Sequence, residues 1–335
     1  MEISNLSCYN RRGVDEIITK YREKPIKIAG YEAMLKRLPR NHEKWSVFQD
    51  LLNSANAGFG GEKRLDRLLK HFDPPYPYLL IQDLSLSEAE ECQIDTVLIT
   101  QSCIFLLEVK NMGGRLRFSE NPSVLHQSAA NGKNRTYKSP VVQVETAKLK
   151  ISKILKAMEI ALPVKSAIVI AYPNQVVEDV PPGATVWSAD EVMIRLHNLD
   201  VTKIHISLEQ MKAFGEHLLS IEEVYKPFPL APKFEIDLKA IENGVFCPRC
   251  RLRKMERAKR TWYCKICRIS STDAHLQALD EWFMLMKPTI TTTECRDFLG
   301  LTNLDAAIRV LKRNTLIETG SRRYRQYTDN KENVL

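Results

Sequence analysis

The chain has 335 residues, 44% of them hydrophobic and 27% charged, the balance of ordinary folded domains and length enough for two or three of them. No run of about 18 uncharged apolar residues and no basic-then-apolar leader is found, so a membrane span and secretory export are not expected and a cytoplasmic protein is. The net charge of +8 lies at one end: residues 244–335 carry 18 Lys plus Arg against 10 Asp plus Glu, while residues 1–243 carry 31 of each. That asymmetry suits a polyanionic partner or a solvated basic surface.

In chain order, apolar periodicity predicts helices at 43–52 and 61–72 and strands at 78–84, 93–100 and 103–111. A long helix follows at 140–158, then strands at 166–171 and 185–188, and helices at 189–199 and 207–221. This alternation is a mixed α/β domain. The segment from Tyr225 to Pro232 holds three prolines, which disfavour helix and sheet ladder alike, and reads as the start of a linker.

The densest chemistry lies in the strands around Asp95 and Glu108. With Gln101 and Ser102 as a two-residue loop, opposed residues have numbers that sum to 203, so Asp95 faces Glu108 and Lys110 projects from the same face. Two such carboxylates repel unless a cation joins them, and hard oxygen ligands suit Mg²⁺ or Mn²⁺. A bound ion there lowers the pKa of a water and offsets charge on a phosphate, which is the chemistry of phosphodiester hydrolysis. The alternative is that Asp95 merely ends a strand and Glu108 pairs with Lys110 on a solvated face.

With Glu108-Val109-Lys110 following Asp95, the sequence resembles the nuclease-related domain, or NERD, a branch of the PD-(D/E)xK nucleases. Gly58-Phe59-Gly60-Gly61-Glu62 resembles the opening of that family's first core helix, and Ser139-Pro140-Val141-Val142-Gln143 its Asn-Pro-x-x-Gln segment. Tyr31 to Pro39 is similar to its lead-in. The resemblance covers residues 25–222 and implies a restriction-endonuclease-like core. It further implies that Glu62 is an additional acidic ligand and that Gln143 points toward the active site. Ser139 stands where Asn is common, and Gln93-Ile94-Asp95 lacks the usual acidic residue before Ile-Asp.

Cys247-Pro248-Arg249-Cys250 and Cys264-Lys265-Ile266-Cys267 are two CxxC knuckles with the spacing of a structural Zn²⁺ ribbon. Its Arg251, Arg253, Lys254 and Arg260, beside Trp262 and Tyr263, suit phosphate contact and base stacking, the alternative for Trp262 being that it covers the small core. Beyond it, a helix marked by Leu276, Leu279, Phe283 and Met286 precedes a second, capped in Thr291-Thr292-Thr293 and ended at Gly300. A third, from Asn303 to Arg313 and capped by Thr302, buries Leu304, Ala307, Ile308 and Leu311 and exposes Arg309, Lys312 and Arg313. A hairpin around Gly320 carries Arg322, Arg323 and Arg325. The order resembles a winged helix-turn-helix, a fold that grips nucleic acid or docks on protein.

The expected organisation is an extension at 1–24, a nuclease-type domain at 25–225, a linker at 226–243, a zinc ribbon at 244–272 and a winged-helix-like domain at 273–330. Together these imply a metal-dependent nuclease acting on nucleic acid, DNA before RNA, with no membrane partner. The rival readings are a non-catalytic nucleic-acid binder on the same scaffold and a protein-docking adaptor.

Overall fold

The computed structural model describes residues 19–330 apart from 89, 130–131, 224, 252, 259–260 and 322–323. In chain order come β1 (Thr19–Lys20), α1 (Ile26–Arg37), α2 (Trp45–Leu69), β2 (Tyr78–Glu88), β3 (Glu90–Thr100), β4 (Ile104–Lys110), β5 (Arg115–Glu120), β6 (Ser123–Ser128) and β7 (Asn134–Lys138). Then follow α3 (Pro140–Ala157), β8 (Val164–Ile170), β9 (Val176–Glu178), β10 (Val186–Ser188), α4 (Ala189–His197), α5 (Leu208–Ser220) and α6 (Leu230–Lys233). The remainder are β11 (Glu256–Ala258), β12 (Thr261–Cys264), β13 (Ile269–Ser271), α7 (Ala274–Leu285), β14 (Thr289–Thr291), α8 (Thr292–Leu299), α9 (Leu304–Arg313), β15 (Leu316–Thr319) and β16 (Gln326–Asp329). No described helix is long and apolar enough to cross a membrane.

The chain divides into two compact units: residues up to Lys24 with Asn56–Tyr225, and Pro25–Ala55 with Lys226–Leu335. In the first, a six-stranded mixed sheet runs β1-β2-β3-β4-β8-β10. Both faces of its middle strands are buried, as expected for near-continuous apolar strands. Ile104 and Leu106 pack with Ile151, Leu155 and Phe214, while Phe105 and Leu107 pack with Leu65, Val192 and Leu196.

A second sheet, β7-β6-β5-β9, takes β5 to β7 from the segment between β4 and α3 and β9 from beyond β8, neither of which carried a predicted strand. Its inner face, Leu116, Phe118 and Leu125, is buried. Residues 45–69 form one helix where two were predicted. Gly58, Gly60 and Gly61 continue it, and Gly61 has a packing reason: a Cβ there would lie 2.5 Å from Cβ of Asn111 and 3.2 Å from Cβ of Ala171.

The second unit departs furthest from the sequential expectation, since residues 25–55 pack with the C-terminal segment. Arg37 of α1 is fully enclosed: its Nε donates to Glu281 of α7 at 2.7 Å, and its Nη1 donates to the carbonyls of Glu242 (2.7 Å) and Gly244 (3.1 Å). The rings of Phe246 and Phe298 lie 5.0 and 4.6 Å from its guanidinium carbon. Lys36 also pairs with Glu281. Residues 226–243 are likewise built in, not a free linker, because Leu230, Ala231, Ile236 and Ile241 enter the same core as Trp262, Trp282 and Leu311.

At the C-terminal end, α7, α8 and α9 alternate with the small sheet β14-β16-β15. Thr291 and Glu294 form a reciprocal capping box at the start of α8, and Gly300 ends it with φ +69°. Two expectations on α9 fail locally. Asn303 rather than Thr302 caps it, accepting from the Ala306 N–H, and Leu304 is 43% exposed while Val310 takes the inward place.

Candidate functional site

The β3–β4 hairpin closes through the two-residue loop Gln101-Ser102. The Thr100 N–H donates to the Cys103 carbonyl at 3.0 Å, and the Thr100 hydroxyl accepts from the Cys103 N–H at 2.9 Å. This hydroxyl supplies what Gln-Ser lacks as turn residues. The ladder pairs Ile99 with Ile104, Leu98 with Phe105, Val97 with Leu106 and Thr96 with Leu107. The paired residues end there; the same register carried one step further would set Asp95 against Glu108.

Asp95 Oδ2 accepts from the Val109 N–H at 2.7 Å, and Glu108 Oε1 accepts from Lys110 Nζ at 2.5 Å. Both carboxylates are buried, 7% and 9% exposed, so the pairing of Glu108 with Lys110 is no solvated surface contact.

A second cation, absent from the sequence-based expectations, completes the surroundings. Arg22, with 1% of its side chain exposed, donates from Nη1 to Glu62 at 3.0 Å and from Nε to Asp66 at 3.1 Å, and its Nη2 donates to the Asp95 carbonyl. Asp83, in left-handed backbone at φ +57°, lies 3.9 Å from Nη1. Glu62 and Asp66 stand four residues apart on α2, where like charges repel along a helix face. That acidic spacing was the available signal for a buried cation; nothing in Tyr21-Arg22-Glu23 marks it.

The cluster is short of positive charge, with five carboxylates around Arg22 and Lys110. Burial first, then Asp95, pushes the Glu108 carboxyl up to about 7, against the pull of Lys110. Burial also raises Asp95, opposed by Lys110, Arg22 and the Val109 N–H. Asp66 is raised by burial despite Arg22. Burial disfavours the charge on Arg22, but Glu62, Asp66, Asp95 and Asp83 together hold its pKa above the ordinary value.

Buried carboxylate oxygens are of the chemical kind that a hard divalent ion takes, while among the described residues only the four cysteines form a group of three or more ligand atoms within 4.8 Å of one another. Gln143 is not brought into the group. It is exposed in the first turn of α3, and no hydrogen bond joins its side chain to the carboxylates among the described residues.

The four ribbon cysteines converge: their Sγ atoms all lie within 4.8 Å of one another, the single group of metal-ligating side chains this close among the described residues. Sγ of Cys250 and Cys264 are 4.0 Å apart, close to the ~3.8 Å that Zn–S bonds of ~2.3 Å give in a tetrahedron. The knuckles repeat one geometry. The Arg251 N–H donates to the Cys247 carbonyl and the Arg268 N–H to the Cys264 carbonyl, both at 2.8 Å, and both arginines have positive φ, +56° and +54°. Four thiolates leave no open position, so the site is structural in kind.

Of the basic residues singled out from sequence, Arg251, Arg253, Arg309, Lys312 and Arg313 are exposed. Lys254 pairs with Glu242 at 2.8 Å and Arg325 with Glu318 at 2.8 Å. Arg260, Arg322 and Arg323 lie outside the described residues. Trp262 is 1% exposed and belongs to the core, so it is not available for base stacking; its face instead carries the Arg257 guanidinium at 4.8 Å.

Residues 57–171 match the family model of the nuclease-related domain. The matched span holds Glu62, Asp95, Glu108, Lys110 and Gln143, and excludes Arg22 and the whole C-terminal end. Neither a curated protein nor a solved structure matches the chain.

Proposed function

Taking the nuclease-related match as premise, we propose that the chain is a Mg²⁺- or Mn²⁺-dependent nuclease built on a PD-(D/E)xK core. The observation that carries this reading is the burial of Asp95 and Glu108 close to Lys110: Asp95 accepts from the N–H of Val109, next in the chain to Glu108, and Glu108 accepts from Lys110. Asp95 and Glu108 would hold the ion, with Glu62 as third ligand once it is shared with Arg22. The ion, when bound, supplies an acidified water and charge neutralisation at the phosphate. Lys110 favours the ionised form of Glu108 against its burial and presents its ammonium to the charge that develops on the phosphate oxygens. Gln143 is assigned to substrate contact, given its exposed position.

We read the four cysteines as a Zn²⁺ ribbon and α7 to β16 as a winged helix-turn-helix, both serving to hold nucleic acid, DNA before RNA. The order helix, strand, helix, helix, strand, strand and the exposed cations of α9 support this. The test is cleavage of labelled single-stranded DNA, double-stranded DNA and RNA with added Mn²⁺. Hydrolysis that requires the metal and disappears in Glu108→Ala and Lys110→Ala is expected; equal cleavage with and without those side chains refutes the mechanism.

One observation favours a second reading, a non-catalytic binder on the same scaffold. Glu62, Asp95 and Glu108 each already have a donor from the protein itself, Arg22, Val109 and Lys110. That reading predicts salt-sensitive binding with no turnover at any metal concentration.

A further inference from the structure

The small sheet β7-β6-β5-β9 turns one face into the protein and one out. Inward, Leu116, Phe118 and Leu125 pack with Ile168 and Ile170, the ladder partners of Glu108 and Lys110, and with Val144, the residue after Gln143. The sheet is therefore seated on the carboxylate-bearing end of the main sheet. Polar ties hold it there: the Gln127 side chain donates to the Gly113 carbonyl at 2.7 Å and accepts from the Tyr137 hydroxyl at 3.0 Å, and the Val176 N–H donates to the Gly114 carbonyl at 3.2 Å.

Strand alternation then decides what faces out. The register sets Arg117 of β5 opposite His126 of β6, and His126 opposite Thr136 of β7, so the three stand in one row across the outer face. Side chains so opposed have Cβ atoms ~5 Å apart. His126 Nδ1 shares a hydrogen bond of 3.2 Å with the Thr136 hydroxyl. Lys138, two residues beyond Thr136, lies on the same face, diagonal to His126 through its pairing with Val124.

The charge of this face is one-sided. Residues 115–138 hold five Lys or Arg against one Asp or Glu, although residues 1–243 as a whole are balanced. Arg117 and Lys138 are exposed and have no acidic partner among the described residues. Glu178 of β9, which the ladder sets opposite Arg117, is taken by Arg115 instead. Two cations, an imidazole and a hydroxyl are donors that suit phosphate oxygens, and their place beside the carboxylate cluster suits a polymer that reaches both.

We propose that this outer face is a track for the phosphate backbone of the nucleic-acid substrate, with Arg117 and His126 on one phosphate and Lys138 on another. This rests on the nuclease reading and deepens it, since it says how the first unit holds the polymer that the carboxylates cut. Stacked sheets lie ~10 Å apart, so phosphates on the outer face flank the scissile one by about three nucleotides at ~3.4 Å each.

The test uses the full zinc-loaded chain in a Glu108→Gln background, so that no hydrolysis intervenes, and a fluorescent 20-mer duplex DNA titrated at several salt concentrations. Arg117→Gln and Lys138→Gln should each weaken binding several-fold, and the double variant should lower the slope of log K against log salt by about 1.8. Arg117→Lys and Lys138→Arg, which keep the charge, should keep the slope. Arg195→Gln, which removes an exposed cation already paired with Glu191 at 3.2 Å, should change little. Melting temperature reports folding for each variant.

Unchanged affinity and slope in the double variant, with metal-dependent cleavage by the wild type, would overturn the track and leave the nuclease reading standing. No salt-sensitive affinity for this duplex or for a 20-mer RNA would overturn both. Phosphatidylserine vesicles that bind the Glu108→Gln protein and not the double variant, while DNA affinity stays the same, would overturn the nucleic-acid assignment in favour of an anionic lipid surface.

Discussion

Arg22 donates to Glu62 across 3.0 Å and to Asp66 across 3.1 Å, bringing a buried guanidinium from beside the first described strand to the helix that flanks the carboxylate cluster. Removing one member of such a pair leaves charge buried without compensation, at a cost of about 3–5 kcal/mol. Arg22→Met should therefore lower the melting temperature sharply. Since Arg22 then no longer competes with a metal ion for Glu62, added Mn²⁺ should restore more stability to Arg22→Met than it adds to the wild type. Thermal melts with and without Mn²⁺ measure both effects; equal Mn²⁺ shifts in the two proteins would separate Glu62 from the metal site.

The raised Glu108 carboxyl has a definite consequence for pH. Its value rises from 4.5 to about 7 on folding, so between those values the folded state binds more protons than the unfolded one. Stability of the metal-free chain should then fall as pH rises from 4.5 through 7, by roughly 3 kcal/mol. Glu108→Gln, which stays neutral, should flatten that slope. Denaturant melts at pH 5, 6, 7 and 8 provide the check, and parallel profiles for the two proteins would contradict the assignment.

Zinc should be bound at one ion per chain. Because Cys247 and Cys264 are buried in the core that contains Trp262 and Trp282, its loss should loosen more than the ribbon. Cys264→Ser should release the ion and shift tryptophan fluorescence toward that of exposed indole. A Cys264→Ser protein with native fluorescence and melting behaviour would mean the metal contributes nothing to the fold.

Gly61 lets α2 pack against Asn111 and Ala171, the residues just past β4 and β8. Gly61→Ala places a methyl group 2.5 Å from Cβ of Asn111, which forces the helix outward and with it Glu62. A loss of about 1–3 kcal/mol is expected despite the better helix propensity of alanine. Gly60→Ala, where a Cβ meets nothing within 4 Å, is the matched control and should be neutral or stabilising.

Local pattern carried the hairpin and the knuckles into view before any coordinates. Two near-continuous apolar strands and a two-residue loop pointed to the hairpin, but with both faces apolar the pattern does not by itself select the register. The CxxC spacing, by contrast, left little freedom.

What sequence concealed depends on distance along the chain. The pairs Arg22–Asp66 and Arg37–Glu281 join residues 44 and 244 positions apart, and no periodicity announces them. The second sheet was hidden for another reason. Its strands are short, three to six residues, and the exposed face of Arg117, His126, Thr136 and Lys138 looks like loop when its buried partners Leu116, Phe118 and Leu125 are sparse. Three glycines in α2 suggested a break, whereas Gly61 is there to let the helix touch Asn111 and Ala171.

Titration of Mn²⁺ into the zinc-loaded wild type and Glu108→Gln, followed by the loss of the free-ion paramagnetic resonance signal, reaches the proposed centre without relying on turnover. One Mn²⁺ site per chain in the wild type, weakened at least tenfold in Glu108→Gln and in Asp95→Asn, is the predicted result. Mn²⁺ binding of the same strength in all three proteins, or in none, would contradict a divalent ion held between Asp95 and Glu108.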